Sequence, residues 1–236
     1  MKLFNLVLIA FAIFVLGSCK KDSENDVTPK YEDSDFPSDE GKDTIWVSNV
    51  DELKATVNST KEGNKVVLIK DGTYVLDTRL WLTGENLIYR GASEDRSKVV
   101  IKGKGMGSQN VGYIFSVAGD NFAVKDITIG EVYFHGIQVH GELDADNVYI
   151  QNVRFYDIRQ QMIKGSYDKN QPGNYSENCV VEGCLFEYTA GHSFYYYCGG
   201  VDVHHGVNWR ISDCTFKNIY SPEAGKLSEG AISFLE

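Results

Sequence analysis

Long apolar runs, paired cysteines and an excess of positive charge are all missing from this chain. Its 23 lysines and arginines stand against 33 aspartates and glutamates, leaving a formal charge of −10. That balance offers no electrostatic footing for nucleic acid, which is excluded as a partner. No CxxC pair and no Cys/His spacing of a zinc site occurs among its five cysteines. P-loop, dinucleotide fingerprint and serine elbow are absent too, so nucleotide-dependent and serine-esterase chemistry lose their usual signatures. The apolar run from Leu3 to Leu16 is too short for a comfortable membrane span.

That run follows Lys2 and leads into Gly17-Ser18-Cys19, the pattern of a secretory signal peptide over residues 1–18. Leu16-Gly17-Ser18-Cys19 resembles the lipobox of bacterial lipoproteins, which implies that Cys19 is acylated and holds the protein to a membrane. An ordinary signal peptide with a chance cysteine is the alternative. Residues 19–43 are rich in acid and poor in aliphatics, and are expected to form a disordered acidic tether. Lys20 rather than aspartate follows the cysteine, so the expected location is the outer membrane, at its surface or its periplasmic face.

Residues 44–236 are enough for one domain. The compartment permits disulfides among Cys179, Cys184, Cys198 and Cys214, although stacked buried thiols more often pack inertly. Four segments align without gaps, beginning at Asn121, Asn147, Asn178 and Asn208. Positions +1, +3, +6 and +8 from each asparagine are apolar, for example Phe122, Val124, Ile127 and Ile129. Period-two alternation marks strands with one buried face. The phase jump falls at Asp126, Asn152, Gly183 and Asp213, residue types that tolerate left-handed corners. A unit of this kind, repeated in one register, is a solenoid coil rather than a sandwich.

The repeat resembles the right-handed parallel β-helix of the pectate-lyase superfamily. The opening VSNVDELKATVNSTKEGNKVVLIKDGTYVL is similar to that of the alginate-lyase and chondroitinase-B type of polysaccharide lyases. The resemblance implies an all-β, single-stranded right-handed parallel β-helix with a short N-terminal capping helix. The chain stops at Phe234-Leu235-Glu236 inside an expected strand, so the β-helix domain is expected to be incomplete at that end.

Stacking the coils places Ile137, Ile163, Val201 and Ile232 in one inward column. Lys164, Asp202, His204 and His140 then share an exposed sheet face and are the candidate catalytic residues. The loop Ala190–Gly200 brings His192, Tyr195, Tyr196 and Tyr197 to its edge, and neighbouring loops bring Arg159 and His135. Aromatics beside polar groups suit sugar rings, and these six are the candidate substrate-binding residues; packing along the flank is the alternative. Glu142, Asp144 and Asp146 are carboxylates of the kind that take Ca2+, with a solvated turn as the alternative. No metal ligands are assigned.

The resemblance implies a carbohydrate-active protein of the cell envelope with a glycan partner. A lyase on uronate-containing glycans needs a base (Lys164, His204 or His140) and a cation such as Arg159. It is favoured over a hydrolase, because Asp202 has no evident second carboxylate on its face. The rival is a non-catalytic glycan-binding or adhesin-like surface protein.

Overall fold

A computed structural model describes residues 36–235. The signal segment, Cys19 and most of the tether lie outside these residues. Three parallel sheets of seven, six and six strands run the length of the molecule. The chain visits sheets A, B and C in turn, first at Lys65–Ile69, Gly72–Val75 and Leu80–Leu82, and six such windings stack as coils 1 to 6. Parallel crossovers of L-amino acids wind right-handed.

The corners explain the repeat. Asn64, Asn86, Asn121, Asn147, Asn178 and Asn208 all have φ between 51° and 55° at the turn into sheet A. From coil 3 onward a two-residue corner joins sheet A to sheet B. Its first residue is Asp126, Asn152, Gly183 or Asp213, with φ between 50° and 62°. Asn, Asp and Gly enter this left-handed region at lower cost than other residues. Each two-residue corner turns the chain from one sheet into the next at constant length, so the strands of successive coils stay in step.

Columns inside the tube follow from that step. Ile137 pairs with Ile163, Ile163 with Val201 and Val201 with Ile232. The first three are buried, whereas Ile232 in coil 6 is exposed. Phe155, Phe186 and Phe216 stack nearly face on, with centroids 4.9 and 4.6 Å apart. Gly200 is required beside this stack, because a Cβ there would lie 2.6 Å from the Phe216 ring. Cys179, Cys184, Cys198 and Cys214 are free thiols. Burial, then Cys214, raises the Cys184 thiol well above its ordinary value.

The entry carries two features beyond the expected capping helix. The helix Val50–Ser59 is capped by Asn49, whose side chain accepts the Glu52 N–H at 2.9 Å. It buries Leu53 and Thr56 over the end of the tube, where the Tyr89 hydroxyl donates to Thr56 Oγ1 at 3.0 Å. A strand at Asp43–Val47 precedes it and adds a seventh member to sheet A, paired with Lys65–Ile69. Phe36 to Asp39, assigned above to the tether, also lie on sheet A. Lys125 sits over the Phe36 ring, and Asp39 holds Arg90 at 2.7 Å.

Candidate functional site

Sheet C consists of Leu80–Leu82, Tyr113–Val117, His135–His140, Gln161–Ser166, Gly199–His204 and Gly230–Leu235. Its register stacks Trp81, Ser116, Gln138, Lys164, Asp202 and Ser233 into one column. Three of the four candidate catalytic residues meet here. Lys164 Nζ donates to Asp202 Oδ2 and lies 2.8 Å from His204 Nε2. His204 Nε2 is also 3.5 Å from that carboxylate oxygen. Asp202 is fully buried, and its Oδ1 has no hydrogen-bond partner. A buried carboxylate is costly, and Lys164 is the charge that compensates it.

His204 is half-buried. Burial, and then the Lys164 ammonium, lower its pKa, so the imidazole is neutral at pH 7. Its Nε2 lone pair therefore accepts from Lys164, and the ring proton sits on Nδ1. His140 departs from expectation. Its imidazole binds Glu142 Oε1 at 2.7 Å and packs on Trp81, with ring centroids 4.7 Å apart. It is 6 % exposed and its Nε2 is enclosed, so it does not share the open face with His204. The Trp81 ring from coil 1 reaches over it.

The expected binding residues divide in the same way. Arg159 lies between two rings, 4.3 Å from Tyr133 and 3.7 Å from Tyr195. Tyr195 continues to Tyr196 at 5.1 Å, and Lys226 sits over Tyr196 at 4.6 Å. Tyr197 is half-buried beside Gln161 and Glu229, and burial raises its phenol above the ordinary value. His135, expected at an exposed edge, is instead buried. Its Nδ1 contacts the Gln161 carbonyl at 3.0 Å, and burial lowers its pKa to about 3. His192 turns to its own loop, 3.0 Å from the Ser193 carbonyl and 6.3 Å from the Tyr220 ring.

Two further residues belong to this face. Gln161 is fully buried, and its Nε2 donates to Glu229 Oε2. Glu229 thus supplies the second carboxylate that the strand pattern did not reveal. Burial raises its pKa, and the Asp202 charge raises it further. Its signal in the sequence was the register itself, since Gly199 pairs with Gly230 and so brings the preceding residue to the sheet entry.

The acidic turn does not converge. Glu142 accepts from Ser166 Oγ at 2.6 Å besides contacting His140, while Asp146 caps the Glu177 N–H at 2.6 Å. Among the described residues no group of three or more His, Cys, Asp or Glu is arranged to hold a metal ion.

Known proteins share this fold at low identity. An alginate lyase from Paenibacillus sp. str. FPU-7 superimposes with a TM-score of 0.55 at 13% identity, over 81% of this chain and 74% of its own. An iota-carrageenase from A. fortis gives 0.56 at 18%, over 78% of this chain and 43% of its own. A galactose-4-sulfate-3,6-anhydrogalactose-2-sulfate 4-galactohydrolase gives 0.50 at 18%, with 78% and 50% covered. This chain therefore spans half or less of the length of the last two. No family model matches the sequence, and no curated protein matches it. The shared architecture defines the class, a right-handed parallel β-helix.

Proposed function

We propose that the protein is a carbohydrate-active enzyme of the cell envelope that cleaves uronate-containing glycans by β-elimination on the outer face of sheet C. The observation that carries this reading is the His204 imidazole set 2.8 Å from an ammonium that a buried aspartate holds in place. A neutral base beside a fixed cation is what proton abstraction next to a carboxylate requires. Arg159 has no carboxylate partner among the described residues, and its N–H edge receives the uronate carboxylate. Lys164 turns one of its three N–H groups from His204 to the substrate, which frees Nε2 to take the proton. The ammonium then balances the charge that develops on the carboxylate. Tyr197, kept protonated, can return a proton to the departing sugar oxygen. The lipobox quartet supports attachment to the outer membrane through Cys19.

Glycan hydrolysis is the second reading, favoured by Glu229. A carboxyl raised by burial beside a second acid is suited to protonate a glycosidic oxygen. One experiment separates the two. The protein is incubated with sodium alginate and with polygalacturonate, and ultraviolet absorbance of unsaturated ends is followed alongside reducing ends. Elimination gives both signals, and both fall in Lys164→Ala and His204→Ala. Reducing ends without absorbance would establish hydrolysis instead. Retention on the glycan with neither signal would leave a binding protein.

A further inference from the structure

The cation–aromatic contacts around Arg159 continue across the whole molecule. Arg79, exposed just before the sheet C strand of coil 1, lies 4.7 Å from the Trp81 ring and 5.7 Å from Tyr113 in coil 2. Tyr113 meets Phe134 of coil 3 at 5.4 Å, and Phe134 meets Tyr133 at 4.8 Å. Tyr133 then holds Arg159 of coil 4, and the row ends at Lys226 of coil 6. Every coil contributes a member. Arg79, Arg159 and Lys226 have ring partners and no ion-paired acid among the described residues.

We propose that this row is the binding track of a linear acidic polysaccharide, with Arg79 as a remote anion subsite three coils from Arg159. The proposal rests on the glycan reading of this face, and not on the elimination step. A guanidinium lying on a ring keeps its N–H edge open, and that edge takes a carboxylate or a sulfate by two parallel hydrogen bonds. The intervening rings offer flat apolar faces to sugar C–H groups. A neutral polymer would bring no anion to these three cations. Coil 1 and coil 6 are five rungs apart, about 24 Å at about 4.8 Å per rung. Only a chain of several sugars engages both ends, so affinity should climb with chain length until the span is reached.

Affinity electrophoresis of the full chain in gels containing sodium alginate, iota-carrageenan or uncharged dextran tests this. At least one charged polymer should retard the parent protein while dextran does not. The polymer that does so identifies carboxylate or sulfate as the preferred group. Arg79→Ala and Arg79→Gln should each weaken that affinity about tenfold, the loss of one charge-assisted contact. Both variants should unfold at the parent temperature, because Arg79 is exposed. Lys102→Ala on sheet B should bind as the parent does. Equal retardation by dextran, or unchanged affinity in both Arg79 variants, would overturn the track. Binding that depends on Arg79 but yields no cleavage would sink the enzymatic reading and leave the track intact. Cleavage with Arg79-independent binding would do the reverse.

Discussion

On sheet B, Lys102 meets Glu131 at 3.0 Å and Arg154 meets Glu187 at 2.7 Å. On sheet A, Lys65 is matched by Asp43 and Arg90 by Asp39. Sheet C handles charge differently, although the same winding builds all three. Its aspartate is buried beneath a lysine, and its arginines rest on rings rather than on acids. Solvated ion pairs across neighbouring rungs stabilise a surface modestly and leave nothing unsatisfied. On sheet C the Lys164–Asp202 pair keeps that compensation in a buried setting, while Arg79 and Arg159 have rings in place of acids among the described residues.

The contrast can be broken most sharply at Asp202. Replacing it by alanine leaves the Lys164 ammonium without its counter-charge and should cost about 3 kcal/mol, the usual effect of halving a buried pair. Denaturant unfolding would show it, and a loss as small as that of a surface pair would mean that the aspartate is solvated. Next in size is the chemistry. His204→Ala should lower turnover of a uronate polymer by at least about a hundredfold, the range of general base catalysis. Its fold should survive, which near-parent thermal unfolding at pH 7 would verify.

Acid should separate the faces as well. His135 and His204 both have folded pKa values below their unfolded ones, so protonation favours the unfolded chain. For His135 the stabilisation is complete above about pH 6.5 and is lost as pH falls toward about 3, by about 1.4 kcal/mol per pH unit. Glu229, raised instead, offsets part of this loss from the point where the folded carboxyl begins to take its proton, and the offset is complete below the unfolded value. Asp43 on sheet A and Asp77 beside the capping helix are lowered by Lys65 and Lys54, so their contribution fades only in stronger acid. Thermal unfolding from pH 7 to pH 5 should therefore report the sheet C histidines, and His135→Asn should flatten that slope. The smallest effect belongs to Lys102→Ala, expected to cost no more than about 1 kcal/mol and to leave turnover unchanged.

The repeat was readable because core positions recur at fixed offsets from an asparagine. The pairings from Ile137 to Ile232, and Lys164 beside Asp202, follow instead from aligning the inward residues of the strands that come after the variable loops. The loops that feed sheet C have no common length, and side chains on them escape the count. Tyr133 was missed for that reason, whereas Glu229 and Arg79 each stand one residue before a sheet C strand, within reach of the register. His140 stands at an outward position, yet Trp81 covers it from two strands away. His135 is likewise enclosed, with its ring nitrogen held by a backbone carbonyl from the next coil. Alternation along one strand reports which way a side chain leaves the backbone, and not what a neighbour lays on top of it.

The two-residue elbow that joins sheets A and B from coil 3 onward has a bearing on how such a molecule changes over generations. Because that elbow keeps each winding in phase, insertions and deletions can accumulate in the segments leading to sheet C without shifting a single interior contact. The outward side chains of one flank can then drift while the remaining two flanks are inherited nearly unaltered.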